Sequence, residues 1–82
     1  MKLAQRVIVI TGAGSGIGRA LARRFARENP AGLVLADLPA QRAPLEALAA
    51  ELAPAAPTLA HCADVGDEAE VKRLVAAAEA RF

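Results

Sequence analysis

The sequence predicts an α/β fold in which a doubly wound parallel sheet carries helices on its faces. Two observations lead to this expectation. Short apolar runs alternate with segments of helical periodicity, in the order strand, helix, strand, helix, strand, helix. A glycine-rich segment, TGAGSGIG, joins the first apolar run to the first helical segment. A chain of 82 residues has room for about one small domain, so we expect the N-terminal half of such a sheet.

The first strand is predicted over Val7–Ile10, an unbroken run of β-branched residues. Such a run is typical of a strand that is buried on both faces of the sheet. A helix is expected from Ile17 onward, and the Asn29-Pro30 pair, followed by Gly32, is expected to end it. The apolar residues that recur at helical spacing in this segment are Ile17, Ala20, Leu21 and Phe25.

Two further strand and helix units follow. A second strand is predicted over Gly32–Asp37 and a weaker third strand over Thr58–Asp64. The second helix is marked by Leu45, Leu48, Ala49 and Leu52, and the third by Val71, Leu74, Val75, Ala78 and Phe82. Because parallel crossovers are right-handed, we expect the first two helices on one face and the third on the other. In the doubly wound strand order 3-2-1-4 the first strand pairs with a fourth, and without that fourth strand one edge of the first strand is left unpaired.

The glycine spacing tells which class of phosphate-binding loop this is. The pattern G-x-G-x-x-G fails by one residue, and the triphosphate-binding pattern fails because no glycine precedes a lysine. The segment fits T-G-x-x-x-G-x-G, with Thr11, Gly12, Gly16 and Gly18 in place. It follows a strand, opens a helix and is followed about 20 residues later by Asp37, as dinucleotide binding requires. The sequence therefore predicts a Rossmann-like, partial dinucleotide-binding domain over residues 1–82.

Each loop position has a physical reason. Gly12 permits a tight turn after the strand, Gly16 lets the backbone approach the pyrophosphate, and Gly18 lets the helix pack closely. Amides near Ile17 and the positive end of the helix dipole offer hydrogen bonds and partial charge to phosphate oxygens. Ser15 could offer its hydroxyl to the adenosine ribose. The alternative is a glycine-rich turn that holds no ligand.

Asp37 is expected to select the cofactor. Its carboxylate accepts hydrogen bonds from both ribose hydroxyls, whereas a 2′-phosphate about 4 Å away would be repelled by several kcal/mol. This favours NAD over NADP. The alternative is that Asp37 is only a loop residue ahead of Leu38.

These motifs resemble the N-terminal half of the short-chain dehydrogenase/reductase (SDR) family over essentially the whole chain. The resemblance implies hydride transfer between NAD and an alcohol or carbonyl substrate, with Asp64 and Val65 at the adenine. Basic residues that read a 2′-phosphate in this family stand at the positions of Ser15 or Leu38, and neither is basic here. The residues expected to bind the cofactor are Gly12, Ser15, Gly16, Ile17, Gly18, Asp37, Leu38, Asp64 and Val65.

The resemblance also implies what lies outside this chain. The family's catalytic Tyr-x-x-x-Lys pair has no counterpart here, because the sequence contains no tyrosine. We therefore expect the catalytic half to be absent from the chain, its catalytic residues to lie beyond Phe82, and residues 1–82 alone to be inactive. The full-length protein is expected to bind a small-molecule substrate and to form a homo-oligomer.

Asp64 has a second interpretation. Either Asp64 or Asp67 could cap the last helix, with Glu70 completing a capping box from Asp67. If Asp67 is the cap, Asp64 remains available to the adenine amino group.

Composition excludes several classes of function. The net charge of +1 predicts no attraction to nucleic acid or to a membrane, and a single cysteine, Cys62, predicts neither a disulfide nor a metal site. His61 and Cys62 should face opposite sides of the sheet, so they cannot act as a pair. A cytoplasmic protein is expected. Two other functions stay open: a non-catalytic nucleotide-binding module, and an S-adenosylmethionine methyltransferase suggested by G-x-G-x-G from Gly12.

Overall fold

The structure, a computed structural model, describes residues 4–82, so the first three residues of the predicted domain lie outside the described part. Three parallel strands lie in the spatial order β1-β2-β3. The elements are β1 Val7–Thr11, α1 Gly16–Ala26, β2 Gly32–Asp37, a 3₁₀ turn Pro39–Gln41, α2 Arg42–Leu52, β3 Thr58–Cys62 and α3 Glu68–Arg81. The predicted α/β, Rossmann-like order is confirmed. The third strand is shorter than predicted: it ends at Cys62, whereas the prediction extended it to Asp64.

The two strand pairs have the same spacing along the chain. In the first pair Gly32 lies opposite Val7, 25 positions earlier, and in the second Thr58 lies opposite Leu33, also 25 positions earlier. All strands run in one direction, so their carboxyl ends meet at one edge of the sheet. The loops that follow β1, β2 and β3 therefore come together there.

The sheet has a separate core on each face, as predicted. Helices α1 and α2 cover one face and α3 covers part of the other. The first core contains Ile10, Ala13, Ala22, Ala26, Leu33, Leu35, Leu45, Leu48, Leu52 and Ala56. The second contains Val34, Ala36, Ala63, Leu74 and Ala78.

Strand β1 corrects one prediction. It was expected to be buried on both faces, but Val7 and Val9 are 45% and 47% exposed, whereas Ile10 is buried. The reason is tertiary: α3 packs on β3 and on the matching face of β2, and it leaves that face of β1 open.

The apolar face predicted for α1 is also wrong. Ile17 is 80% exposed and Leu21 is exposed, while the buried positions are Ala22 and Ala26, with Phe25 packed beside them. Small side chains face the sheet because the helix lies close to it. The helix ends near the predicted stop, where Asn29 adopts a left-handed conformation with φ of 57°.

The later helices agree more closely with the periodicity. In α2, Leu45, Leu48 and Leu52 are buried, as predicted. In α3, Leu74 and Ala78 are buried, but Val75 is exposed. Among residues 4–82, no helix combines the length and the apolar character that crossing a bilayer requires.

Candidate functional site

Two glycines of the loop between β1 and α1 adopt conformations that other residues rarely reach. Gly12 has φ of 67° and Gly16 has φ of 58°, both in the left-handed region. A Cβ atom built at either position would meet no atom of residues 4–82 within 4 Å. The requirement for glycine here is therefore conformational, and the space above both residues is open to a ligand.

Gly18 is required for a different reason. A Cβ atom at Gly18 would collide with the carbonyl oxygen of Gly12 and lie 2.7 Å from its carbonyl carbon. The first turn of α1 is thus packed directly against the loop that precedes it. This is the close approach that the spacing predicts for the third motif glycine.

The start of α1 is not capped by a side chain. Ser15 stands at the N-cap in an extended conformation, but its hydroxyl makes no capping hydrogen bond, and the first turn carries no acidic residue. The orphan amides and the positive end of the helix dipole are therefore left to solvent or to an anion. Ile17, in this first turn, is exposed.

Asp37 lies at the end of β2 and is held by two backbone amides. The N–H of Gly14 donates to Oδ2 at 2.9 Å, and the N–H of Leu38 donates to Oδ1 at 2.8 Å. The motif treats Gly14 as a variable position, so sequence reasoning missed it. Its signal was that TGAGSGIG contains one glycine more than the three that the motif requires.

An open cleft of about 360 Å³ lies at the carboxyl edge of the sheet. It is lined by Thr11, Gly12, Asp37, Leu38, Ala63, Asp64 and Val65. Five of the nine predicted site residues are thus brought together from the ends of all three strands. The other four, Ser15, Gly16, Ile17 and Gly18, belong to the start of α1 and do not line this cleft.

The structure decides between the two candidates for the α3 cap. The Asp67 carboxylate accepts from the N–H groups of Ala69 and Glu70, so Asp67 is the cap. Glu70 does not complete the box, because its side chain accepts from the Asp64 N–H at 3.0 Å. Asp64 is therefore not needed as a cap, and its Oδ1 accepts from the Gly66 N–H at 2.9 Å.

His61 and Cys62 lie on opposite faces of β3, as predicted. Cys62 packs against the core beneath α1 and α2, while His61 lies in register with Ala36, whose side chain belongs to the other core. Within the described range 4–82, no group of three or more His, Cys, Asp or Glu residues is placed to hold a metal ion.

The helix surfaces are polar and paired. Arg23 of α1 makes a two-pronged contact with Glu51 of α2, at 2.8 Å and 2.9 Å. The hydrogen bond from Arg23 lowers the pKa of the Glu51 carboxyl, and the same bond raises the pKa of Arg23. Arg24 pairs with Glu28 one turn later at 2.9 Å. The side chains of both pairs are largely exposed, so they lie on a solvated surface of α1.

Comparison with known proteins places the chain among dehydrogenases and reductases. It is 46% identical over 84 residues to levodione reductase from Leifsonia aquatica, which covers 99% of this chain and 30% of that protein. A short chain dehydrogenase/reductase from Burkholderia phymatum, solved in complex with NAD, matches all of this chain and 28% of its own, with TM-score 0.90 and 37% identity. The Pseudomonas aeruginosa RhlG/NADP complex matches 93% of this chain and 29% of its own, with TM-score 0.75 and 26% identity.

Two conclusions follow from these relatives. The chain spans less than a third of the length of each, and one of the similar structures contains NAD while another contains NADP. The choice of cofactor must therefore be argued from this chain's own residues. Residues 6–82 match the model of the short chain dehydrogenase family, and the chain belongs to that family.

Proposed function

We propose that this chain is the NAD(H)-binding portion of an oxidoreductase that transfers a hydride between the nicotinamide cofactor and an alcohol or carbonyl substrate. The observation that carries the proposal is the cleft at the carboxyl edge of the sheet, where Gly12, Asp37 and Asp64 meet. Ligands of open α/β sheets bind at this edge. Membership of the family favours this function over the methyltransferase alternative.

The residues present fit a dinucleotide. Open space above Gly12 and Gly16, with uncapped amides at the start of α1, suits the pyrophosphate. A carboxylate has about four acceptor sites, and the chain's own amides use two of those on Asp37. The remaining sites can accept the adenosine ribose hydroxyls, to which Ser15 could add its hydroxyl. Asp64 and Val65 would hold the adenine.

The same residues favour NAD over NADP. A 2′-phosphate near the Asp37 carboxylate would meet a like charge, at a cost of several kcal/mol at about 4 Å. Leu38 lines the cleft beside Asp37 and is exposed, but it carries no charge that could compensate. Ser15, at the N-cap of α1, is likewise uncharged.

The bound cofactor would supply the hydride acceptor or donor, and the residues of this chain would bind and orient it. We propose that the groups that move the proton lie beyond Phe82, in the part of the protein that also contacts the small-molecule substrate. We further propose that the full-length protein is a cytoplasmic homo-oligomer, as the family resemblance implies. A Tyr-x-x-x-Lys pair in that part would support the enzyme over a non-catalytic nucleotide-binding module.

The cofactor preference is tested by calorimetric titration of NAD and NADP into the complete protein. We expect NAD to bind more tightly. Replacing Asp37 by Ala together with Leu38 by Arg should move the preference toward NADP, because a repulsive charge is exchanged for an attractive one. Equal or tighter binding of NADP by the unchanged protein would contradict the proposal.

The phosphate loop is tested by Gly16→Val in the complete protein. A branched side chain at φ of 58° is strained and would occupy the open space, so we expect NAD binding to be abolished. Circular dichroism should show largely intact secondary structure. Ala20→Val on an exposed position of α1 is the matched control, and it should keep NAD affinity. Unchanged affinity in Gly16→Val would mean that this loop does not contact phosphate.

A further inference from the structure

We infer that Gly14 is a positioning residue for cofactor selection, because its backbone N–H fixes the orientation of the Asp37 carboxylate. The inference rests on the proposed function, in which Asp37 receives the adenosine ribose. It adds a residue that the glycine motif leaves variable.

The two amides that hold Asp37 are not equivalent. The Leu38 amide belongs to the next residue in the chain, so it moves with Asp37. The Gly14 amide comes from 23 positions earlier, in the loop between β1 and α1, and it donates to the other carboxylate oxygen at 2.9 Å. Each of the two amides therefore holds one of the two carboxylate oxygens. The Gly14 contact therefore couples the position of the acid to the position of the phosphate loop.

Glycine is required at position 14 because there is no room for a side chain, and not because the backbone has an unusual conformation. Among the described glycines, only Gly12 and Gly16 have positive φ, so the backbone at position 14 would accept an alanine. The residue is buried, however, and a Cβ atom there would lie 2.9 Å from Asp37 Oδ2 and 3.0 Å from Gln41 Cβ. Both distances are too short for ordinary contact. An added methyl group must displace the carboxylate, the side chain of Gln41 or the loop.

A displaced Asp37 carboxylate affects the binding of NAD and of NADP differently. NAD loses hydrogen bonds between its ribose hydroxyls and Asp37, and these bonds require a defined direction. NADP instead gains distance between its 2′-phosphate and the repelling charge. We therefore expect Gly14→Ala to weaken NAD binding by about tenfold, which corresponds to about 1.4 kcal/mol, and to change NADP binding much less.

The test uses four forms of the complete protein: unchanged, Gly14→Ala, Asp37→Ala, and both substitutions together. Dissociation constants for NAD and NADP are measured for each by calorimetry. If Gly14 acts through Asp37, the Gly14→Ala change should cause no further loss of NAD affinity in the Asp37→Ala background. An undiminished further loss, equal for both cofactors, would overturn the inference and assign Gly14 to the phosphate loop alone.

Two further measurements separate positioning from general loss of structure. In unliganded, ¹⁵N-labelled protein, the Gly14 amide proton should shift upfield on Asp37→Ala, because its charged acceptor is removed; an unmoved resonance would overturn the inference. Gly32→Ala is the matched control at the opposite end of β2, where the Cβ atom meets the ring of Phe82. It should lower stability without changing the ratio of NAD to NADP affinity.

The proposed function and this inference fail in different ways. An unchanged protein that binds neither cofactor overturns the proposed function, and the inference with it. An unchanged protein that prefers NAD, with a Gly14→Ala variant that keeps the same ratio of affinities, overturns the inference alone.

Discussion

Strands β1 and β2 have similar apolar sequences but different surroundings. In β2, Leu33 to Ala36 are fully buried, because α1 and α2 cover one face and α3 covers the other. In β1, Ile10 is buried on the first face while Val7 and Val9 remain about half exposed on the second. A run of β-branched residues therefore indicates a strand that can be buried on both faces. Its neighbours decide whether it is.

The largest effect that we predict separates the two strands directly. Leu35→Ala in β2 removes a fully buried side chain and should cost about 2–5 kcal/mol of unfolding free energy. Val9→Ala in β1 removes a half-exposed one and should cost less than about 1 kcal/mol in the 82-residue chain. Urea denaturation of the 82-residue chain, at concentrations low enough to keep it monomeric, gives both values. Equal losses in the monomer would show that the open face of β1 is covered within the chain itself.

The second prediction concerns that open face. Val7 and Val9, each about half exposed, leave roughly 1.5–3 kcal/mol of burial unrealised beside a strand edge that pairs with no other strand among residues 4–82. We expect the purified 82-residue chain to associate through β1 or aggregate, to bind NAD weakly at best and to have no dehydrogenase activity. Size-exclusion chromatography should show that Val9→Lys reduces association, whereas Val75→Lys on the exposed side of α3 does not. A monodisperse monomer with a cooperative thermal melt would contradict this prediction.

The third prediction concerns α3, the helix that covers one face of β2 and leaves the same face of β1 open. Asp67→Ala removes the cap of α3 and should cost about 1 kcal/mol, measured by thermal or urea unfolding. Asp67→Asn keeps an N-cap oxygen and should retain most of the stability. If Asp67→Asn lost as much as Asp67→Ala, charge at the helix start and not capping would be the cause.

The smallest predicted effect concerns an ion pair between the two helices that cover the first face of the sheet, the face on which both β1 and β2 are buried. The Arg23–Glu51 pair joins α1 to α2 above it, and the pKa of Glu51 is lowered by the hydrogen bond from Arg23. A lowered carboxyl pKa means that the pair stabilises the fold above the ordinary carboxyl range, and that this stability is lost as pH falls through the lowered pKa. Glu51→Gln should therefore lower the melting temperature slightly at pH 7 and leave it unchanged in strong acid. The same decrease at both pH values would exclude the ion pair as the cause.

The order of elements and the placement of helices on the sheet were predictable, because strand and helix periods alternate and crossovers have one hand. The tight turn at Gly12 was predictable too, since this glycine directly follows the first strand, whereas the left-handed conformation of Gly16 was not predicted. Asp37 was identified at the end of β2 for the same reason. In each case a local pattern of the sequence carries the information.

The predictions made from the sequence were wrong or incomplete where contacts between separate segments of the chain determine the structure. The rotation of α1 places Ala22 against the sheet and Ile17 in solvent, because Gly18 brings the helix start against the loop. The buried role of Gly14 depends on Asp37, which is 23 positions away. Periodicity along the chain contains neither fact, since each depends on the three-dimensional approach of two segments.

The equal spacing of the two strand pairs has a consequence for how the chain folds. Each parallel pair joins residues 25 positions apart, so closing either loop costs the same chain entropy, roughly 3 kcal/mol. Loop length therefore gives neither pair precedence during folding. Strand β2 takes part in both pairs and contributes to both cores. Any nucleus that contains a strand pair must therefore include β2.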